Sequence, residues 1–256
     1  MNAAVVNIPG QAPKYQSFPD PVPEEGEALI HVRAAGLHPL VKSTASGSHY
    51  SSSATGPAVP GIDGVGLLDD GRRVYFVFVR KPWGTMAEMA AAPRARMIPL
   101  PDSLDDVTAA AIANPGMPAW LSLKNRAALA AEAATGIDVI VDYLWGRPTE
   151  LVLESLAKGF KLESTRKTRL VEIGSSAGPT ITLPAAILRS VDLTLLGSGF
   201  GAVSLETILA GISTLFSLAA AGTLTVAAEP IPLKDVEEGW NRVEKGRRIV
   251  FTVKSS

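Results

Sequence analysis

The chain has no cysteine, which removes disulfides, iron–sulfur clusters and thiolate zinc sites in one step. Histidine is almost as scarce, with three in 256 residues, so few imidazoles are left for catalysis or metal binding. Neither sign of charge is in excess. The 24 Lys and Arg stand against 25 Asp and Glu, and no basic footprint marks a nucleic acid or an acidic membrane surface as partner. Long hydrophobic runs are also missing. The longest, residues 205–221, is broken by Glu206, Thr207, Ser213, Thr214 and Ser217 and is short for a membrane span. Residues 1–10 carry no basic start followed by an apolar stretch, so no signal peptide is expected and a cytoplasmic setting is the default.

Apolar side chains are what the chain has in quantity. They make up 46% of it against 19% charged, the balance of a globular protein with a substantial core. The length suits one large domain or two modest ones. Up to about Leu100 the chain is cut short repeatedly, by Pro9, Gly10, Pro13, Pro19, Pro21, Pro23 and Gly26 at its start. Residues 28–34, 64–68, 73–79 and 86–92 read as short strands, with Asp69-Asp70-Gly71 as a hairpin turn between the second and third. Closely spaced short strands indicate a small barrel or sandwich.

The texture changes after Pro101. Asp102 or Ser103 can cap a helix with Asp105 and Asp106 in its first turn, Pro115 and Pro118 interrupt it, and residues 119–134 are again helical. Strands at 137–144, 169–173 and 191–196 then alternate with helices at about 148–158, 184–188 and 204–221. That is the rhythm of βαβ crossovers and a parallel sheet. A helix at about 235–244 and a strand at 249–253 close the chain. The stretch GIDVIVDYLWG at 136–146 is the clearest of these strands: Val139, Ile140 and Val141 form a β-branched run of the kind buried in parallel sheets. Asp142 and Tyr143 stand at its C-terminal end, where open α/β sheets place ligands, or are solvated residues of the sheet rim.

A series of short motifs resembles one family. Ala34-Ala35-Gly36-Leu37-His38-Pro39-Leu40, then Ser46-Gly47 with Tyr50, then Pro60-Gly61-Ile62-Asp63-Gly64-Val65-Gly66 come in the order found in medium-chain dehydrogenases/reductases. Gly84-Thr85-Met86-Ala87-Glu88, Pro99-Leu100-Pro101 and residues 109–120 continue it. The resemblance is to the zinc-free quinone oxidoreductase branch. It implies an α/β protein with a GroES-like β-barrel domain over 1–118, a Rossmann-like parallel α/β domain over 119–230 and a return to the barrel over 231–256. It also implies NADPH as cofactor and reduction of a quinone or enone. Where zinc-dependent relatives hold metal ligands, His38, Ile62 and Asp63 stand here, and no metal is expected.

The resemblance lapses between Ala130 and Ala131. Roughly 70 residues, the first mononucleotide half with its glycine-rich turn, have no counterpart there. The α/β domain is therefore expected to be truncated, with the strand at 137–144 left on a sheet edge. NADPH binding is expected to be weak or absent, and a homodimer through the exposed edge becomes a candidate assembly.

By the resemblance, His38 and Tyr50 fall in the substrate pocket as catalytic candidates, with Lys42, Asp63 and Trp83 as substrate neighbours. A donor at His38 would stabilise the oxyanion as hydride arrives; the plainer alternative is a histidine that packs on Pro39 and caps a turn. Asp63 would chiefly order its loop. Asn114, Tyr143, Gly174, Ser175, Gly197, Ser198 and Gly199 are the cofactor-side candidates. Asn114 reads equally as a residue at a helix C-terminus. Gly197-Ser198-Gly199-Phe200-Gly201-Ala202 matches a phosphate-binding turn in spacing, yet no acid stands about 20 residues on, and a plain tight turn is the other reading. A cofactor-free binding or lyase-type protein using the barrel pocket remains as the alternative function.

Overall fold

In the computed structural model, residues 1–49, 52, 56–126, 138–158, 167–199, 201–242 and 246–253 are described. The chain divides into two compact units, Met1–Pro115 with Ile212–Ser256, and Gly116–Gly211.

The first unit is built on strands. β1 (Asn2–Val5) and β2 (Lys14–Ser17) pair antiparallel as a separate ribbon. β3 (Glu27–Gly36) is the spine: ten residues long, it turns Ala28, Ile30, Val32 and Ala34 into the core at the two-residue period of a pleated strand. Pro39 then opens a short helix, α1 (Pro39–Ala45), at a first-turn position where its missing N–H costs nothing. β4 (Asp63–Leu67) and β5 (Arg73–Val77) form the expected hairpin. Gly71 takes a φ of 83° in its turn and donates its N–H to the Leu68 carbonyl at 2.9 Å. β6 (Met89–Pro93) pairs with the first half of β3, and β7 (Met97–Pro99) pairs with β5. A bulge between Val32 and Ala34 shifts the β3–β4 register and bends the spine so that its two halves serve different neighbours.

Helix α2 (Asp106–Leu121) carries the chain into the second unit. Pro115 and Pro118 do not interrupt it, contrary to the sequence expectation; the helix runs through both and passes into a π turn at Ser122–Arg126. Apolar burial of Ala109 through Ala113 and of Met117 and Leu121 outweighs the hydrogen bonds the prolines forgo. The rest of the helix expected up to residue 134 lies outside the described residues.

The second unit is a parallel sheet with helical crossovers, as the alternation implied. β8 (Val139–Asp142), α3 (Gly146–Lys158), β9 (Thr168–Glu172), α4 (Ala185–Ser190), β10 (Leu193–Gly197) and α5 (Leu205–Ala220) come in sequence. The sheet has the order β10-β9-β8, every pair parallel. Among the described residues β8 pairs with β9 alone, and Val139, Ile140 and Val141 are half-buried rather than enclosed on both faces. An edge strand has a neighbour on one side only, which explains the wetter positions. Leu153, Leu170 and Ile187 form the buried heart of this unit.

The chain then returns to the first unit. β11 (Ala228–Pro232), α6 (Val236–Trp240) and β12 (Arg248–Thr252) complete a seven-stranded sheet in the order β11-β12-β3-β4-β5-β7, with β6 on β3. β12 pairs antiparallel with the end of β3, Val250 opposite Gly36. Pro230 and Pro232 are tolerated because β11 is an edge strand. No helix among the described residues is long and apolar enough to cross a membrane.

Candidate functional site

The polar centre of the first unit lies where β3 ends and α1 begins. His38 is the N-cap residue of α1 but makes no side-chain capping bond. Its ring turns inward instead, and Nε2 meets Asp63 Oδ1 at 2.8 Å. The other carboxylate oxygen, Oδ2, accepts the Tyr75 hydroxyl at 3.0 Å. Thr85 Oγ1 donates to the Asp63 main-chain carbonyl at 2.8 Å. All four side chains are buried, with Asp63 at 1% and His38 at 5% exposure. Burial, the Asp63 charge and the bond to Asp63 together push the Tyr75 phenol well above its usual range, so it stays a proton donor. Tyr75 also rests edge-on against Phe216, ring centres 5.2 Å apart.

The loop before β4 is shaped to hold this acid in place. Gly61 has a φ of 109°, and a Cβ there would stand 2.2 Å from Thr85 Oγ1 and 2.8 Å from the Thr85 nitrogen. Only glycine allows that backbone and that approach. The Pro-Gly-Ile-Asp-Gly motif therefore positions Asp63 rather than opening it to solvent.

One atom of the cluster is unspent. His38 Nδ1 is buried and has no hydrogen-bond partner among the described residues. Facing a carboxylate oxygen, Nε2–H donates to Asp63, and in the neutral ring Nδ1 then carries the lone pair. Lys42 stands one turn later in α1, and partial burial lowers its pKa. Tyr50 lies outside the described residues. Trp83 donates its indole N–H to the Pro19 carbonyl at 3.0 Å and stacks under the Arg80 guanidinium at 5.1 Å, so it ties down the N-terminal segment.

In the second unit the strand ends bring Tyr143, Gly174, Ser175, Gly197 and Ser198 into neighbouring loops. Asp142 ends β8 and caps the turn into α3. Its Oδ1 accepts the N–H groups of Leu144 and Trp145 at 2.8 and 3.0 Å, and Oδ2 accepts the Thr149 hydroxyl. That fixes a tight turn in which Trp145 and Gly146 take φ values of 54° and 60°. The main-chain N–H groups of the glycine-rich loops are largely engaged. Gly174 donates to Asp142 at 3.3 Å, Ser176 to Tyr143 at 3.3 Å, Ala177 to Leu144 at 2.7 Å and Gly178 to Ser175 at 3.2 Å. Ser198 donates to Glu172 at 2.8 Å, and Gly199 accepts from Ala202 at 2.9 Å. Phe200, inside that turn, lies outside the described residues. A cleft of about 410 Å³ opens beside these loops, lined by Trp145, Leu170, Glu172, Ser175, Pro179 and Leu195 among others. Burial, aided by the nearby Asp142 charge, raises the Glu172 pKa.

Asn114 is a helical residue of α2, half-buried and one position before the unit boundary, not the left-handed end of a helix. Tyr75 and Glu172 are the functional candidates that the sequence did not single out. Each sits in an apolar strand, and a single polar tip there was the one signal available.

The barrel-like first unit, the parallel second unit and the return of the last strand can now be set beside known proteins. A quinone oxidoreductase of Thermus thermophilus, solved alone and with NADPH, superposes with a TM-score of 0.77 at 23% identity, covering 99% of this chain and 100% of that one. A mycobacterial quinone oxidoreductase gives 0.73 at 19% identity with the same coverages. The fold is that of the quinone-oxidoreductase-type medium-chain dehydrogenases/reductases. An NAD-dependent alcohol dehydrogenase, at a TM-score of 0.75 and 18% identity over 99% of this chain and 100% of that one, shares it. Among curated proteins, a probable NADPH-dependent quinone reductase of Emericella nidulans is 27% identical over 157 residues, 49% of this chain and 44% of that protein. A quinone oxidoreductase of Sus scrofa is 31% identical over 121 residues, 43% and 36% of the two chains. The chain thus spans less than half the length of the curated relatives it matches. No family model matches it.

Proposed function

We propose that this chain is a zinc-independent protein of the quinone oxidoreductase type that binds a quinone or enone in its barrel domain. In this reading residues 1–118 form the substrate domain, 119–230 a truncated cofactor domain and 231–256 the return to the barrel. The observation that carries it is the buried His38–Asp63 pair with a free ring nitrogen, placed in the motif where the family resemblance puts the substrate pocket. A ring held by a carboxylate on one side can act on a carbonyl ligand with the other.

NADPH, the cofactor in the name of the Emericella nidulans relative, would supply hydride if it were bound. The residues of this chain suit that group poorly. Among the described residues the parallel sheet has three strands, and no glycine-rich turn leads from a strand ahead of β8. The turns that do exist spend main-chain N–H groups on each other instead of presenting a cradle for phosphate. NADPH binding is accordingly weak or lost.

Titration of NADPH fluorescence with the purified chain is expected to show no saturation in the micromolar range, while a small quinone or enone raises the melting temperature. Micromolar NADPH affinity with quinone turnover would restore the full reductase. The second reading, a cofactor-free binding or lyase-type protein, gains from the same engaged turns. It is distinguished by conversion of a carbonyl compound with no nicotinamide present.

A further inference from the structure

The His38–Asp63–Tyr75 cluster has the parts of an acid–base catalyst that requires no nicotinamide. We propose that His38 is a general base that exchanges the acidic C–H protons of a bound enone or ketone, with Asp63 and Tyr75 as the residues that position it. The inference rests on the reading that the barrel site takes a carbonyl compound.

The argument starts from the ring nitrogens. Nε2 is committed to Asp63 at 2.8 Å, which leaves Nδ1 as the acceptor. In most buried histidines both nitrogens find partners; here Nδ1 has none, and the ring is shielded from solvent. An imidazole lone pair with no partner among the described residues is left to accept a proton from a ligand. Asp63 then stabilises the imidazolium that forms, as the carboxylate of a His–Asp pair does in hydrolases. Tyr75 occupies the second carboxylate oxygen at 3.0 Å and Thr85 the main-chain carbonyl at 2.8 Å, so Asp63 cannot rotate away from the ring. Among the described residues, Asp63 on β4 is bonded to the ring and Tyr75 on β5 to Asp63, while Lys42 stands four positions after His38 in α1.

The step balances without a further reactant. The C–H bond next to the carbonyl, or its vinylogous position in an enone, breaks. Its electron pair moves onto the carbonyl oxygen as an enolate, and the proton forms the Nδ1–H bond. Reversal returns a proton to carbon, and in heavy water the returned proton is a deuteron. No group is oxidised or reduced.

This sets His38 apart from the oxyanion donor expected from the sequence. A neutral ring with Nε2–H on Asp63 has no hydrogen on Nδ1 to donate.

The test uses the full chain without nicotinamide and 2-cyclohexen-1-one as probe in heavy water, following loss of its exchangeable C–H signals by proton NMR. The expected result is exchange on the order of 100-fold above buffer, the usual scale for one positioned base. His38→Gln should abolish it while the probe still raises the melting temperature. Tyr75→Phe should bind the probe equally but exchange it several-fold more slowly, with the His38 ring nitrogen shifts displaced in 15N spectra. The wild-type result decides even if a variant fails to fold. Probe binding without exchange overturns the inference and leaves the proposed function standing; no binding at all overturns both. Full exchange in His38→Gln also overturns it.

Discussion

At the scale of single residues, the sequence located His38 and Asp63 but not what joins them. The motif resemblance puts both in one expected pocket but does not join the carboxylate to the ring, because a contact across 25 positions leaves no periodic trace. Tyr75 was invisible for a similar reason: inside Val-Tyr-Phe-Val it looks like any strand aromatic until its hydroxyl is found on Asp63. Glu172 gives the residue-scale prediction. Burial first, and the Asp142 charge second, raise its pKa, so folding favours the protonated carboxyl. Its cost to stability is absent below the unfolded-state value and sets in as pH rises from there through the raised folded-state value. Glu172→Gln removes a charge that is unwelcome only at higher pH. Its melting temperature should therefore exceed that of the wild type at neutral pH, with the gain shrinking toward pH 4. A gain independent of pH would show that the carboxylate is not the cause.

At the scale of elements, type was legible and boundaries were not. The β4–β5 hairpin, the strands β8, β9 and β10 and the helices between them can be traced to turn residues and apolar runs. β1, β2, β7, β11 and α1 went unread. The first four are short, and β11 carries two prolines that only an edge position excuses. The start of α2 was legible in kind only. Asp102 and Ser103 looked able to cap it, but Asp105 does so, accepting the Thr108 N–H at 2.8 Å. Partial burial works to raise the Asp105 pKa, and the hydrogen bonds from Thr108 and its neighbours outweigh it, leaving a net lowering. Asp105→Ala should cost about 1 kcal/mol at neutral pH, as losses of such caps do. Because the folded-state pKa is depressed, that contribution is present above the unfolded value and fades as pH falls through the depressed one. Urea titrations at pH 7 and near pH 3 should show the deficit shrinking; an equal deficit at both would assign it to helix propensity alone.

For the whole molecule, the sequence foretold a barrel, a parallel sheet and a closing return to the barrel, and among the described residues each unit has apolar clusters of its own. The first unit packs Ala3, Val5, Val41, Met86, Trp240 and Phe251 in one cluster and Ile30, Leu68, Phe76 and Ala90 in another. The heart of the second is Leu153, Leu170 and Ile187, with Ile140, Trp145 and Leu193 half-buried around it. Leu151 and Leu188 on its helices are 51% and 49% exposed, and Leu195 on its sheet is 37% exposed. Apolar area kept in water contributes nothing to stability, so these three leucines add little to it. Composition could not have revealed this, since the same leucines count as core-formers until their faces are known. Removing Leu153, which is fully buried on α3, should cost about 2–5 kcal/mol as a cavity in the core. In Leu153→Ala, amide exchange is expected to accelerate across β8, β9 and β10 while β3, β4 and β12 keep their protection, because separately cored units open separately. If protection fell equally in both sets of strands, the units would unfold as one.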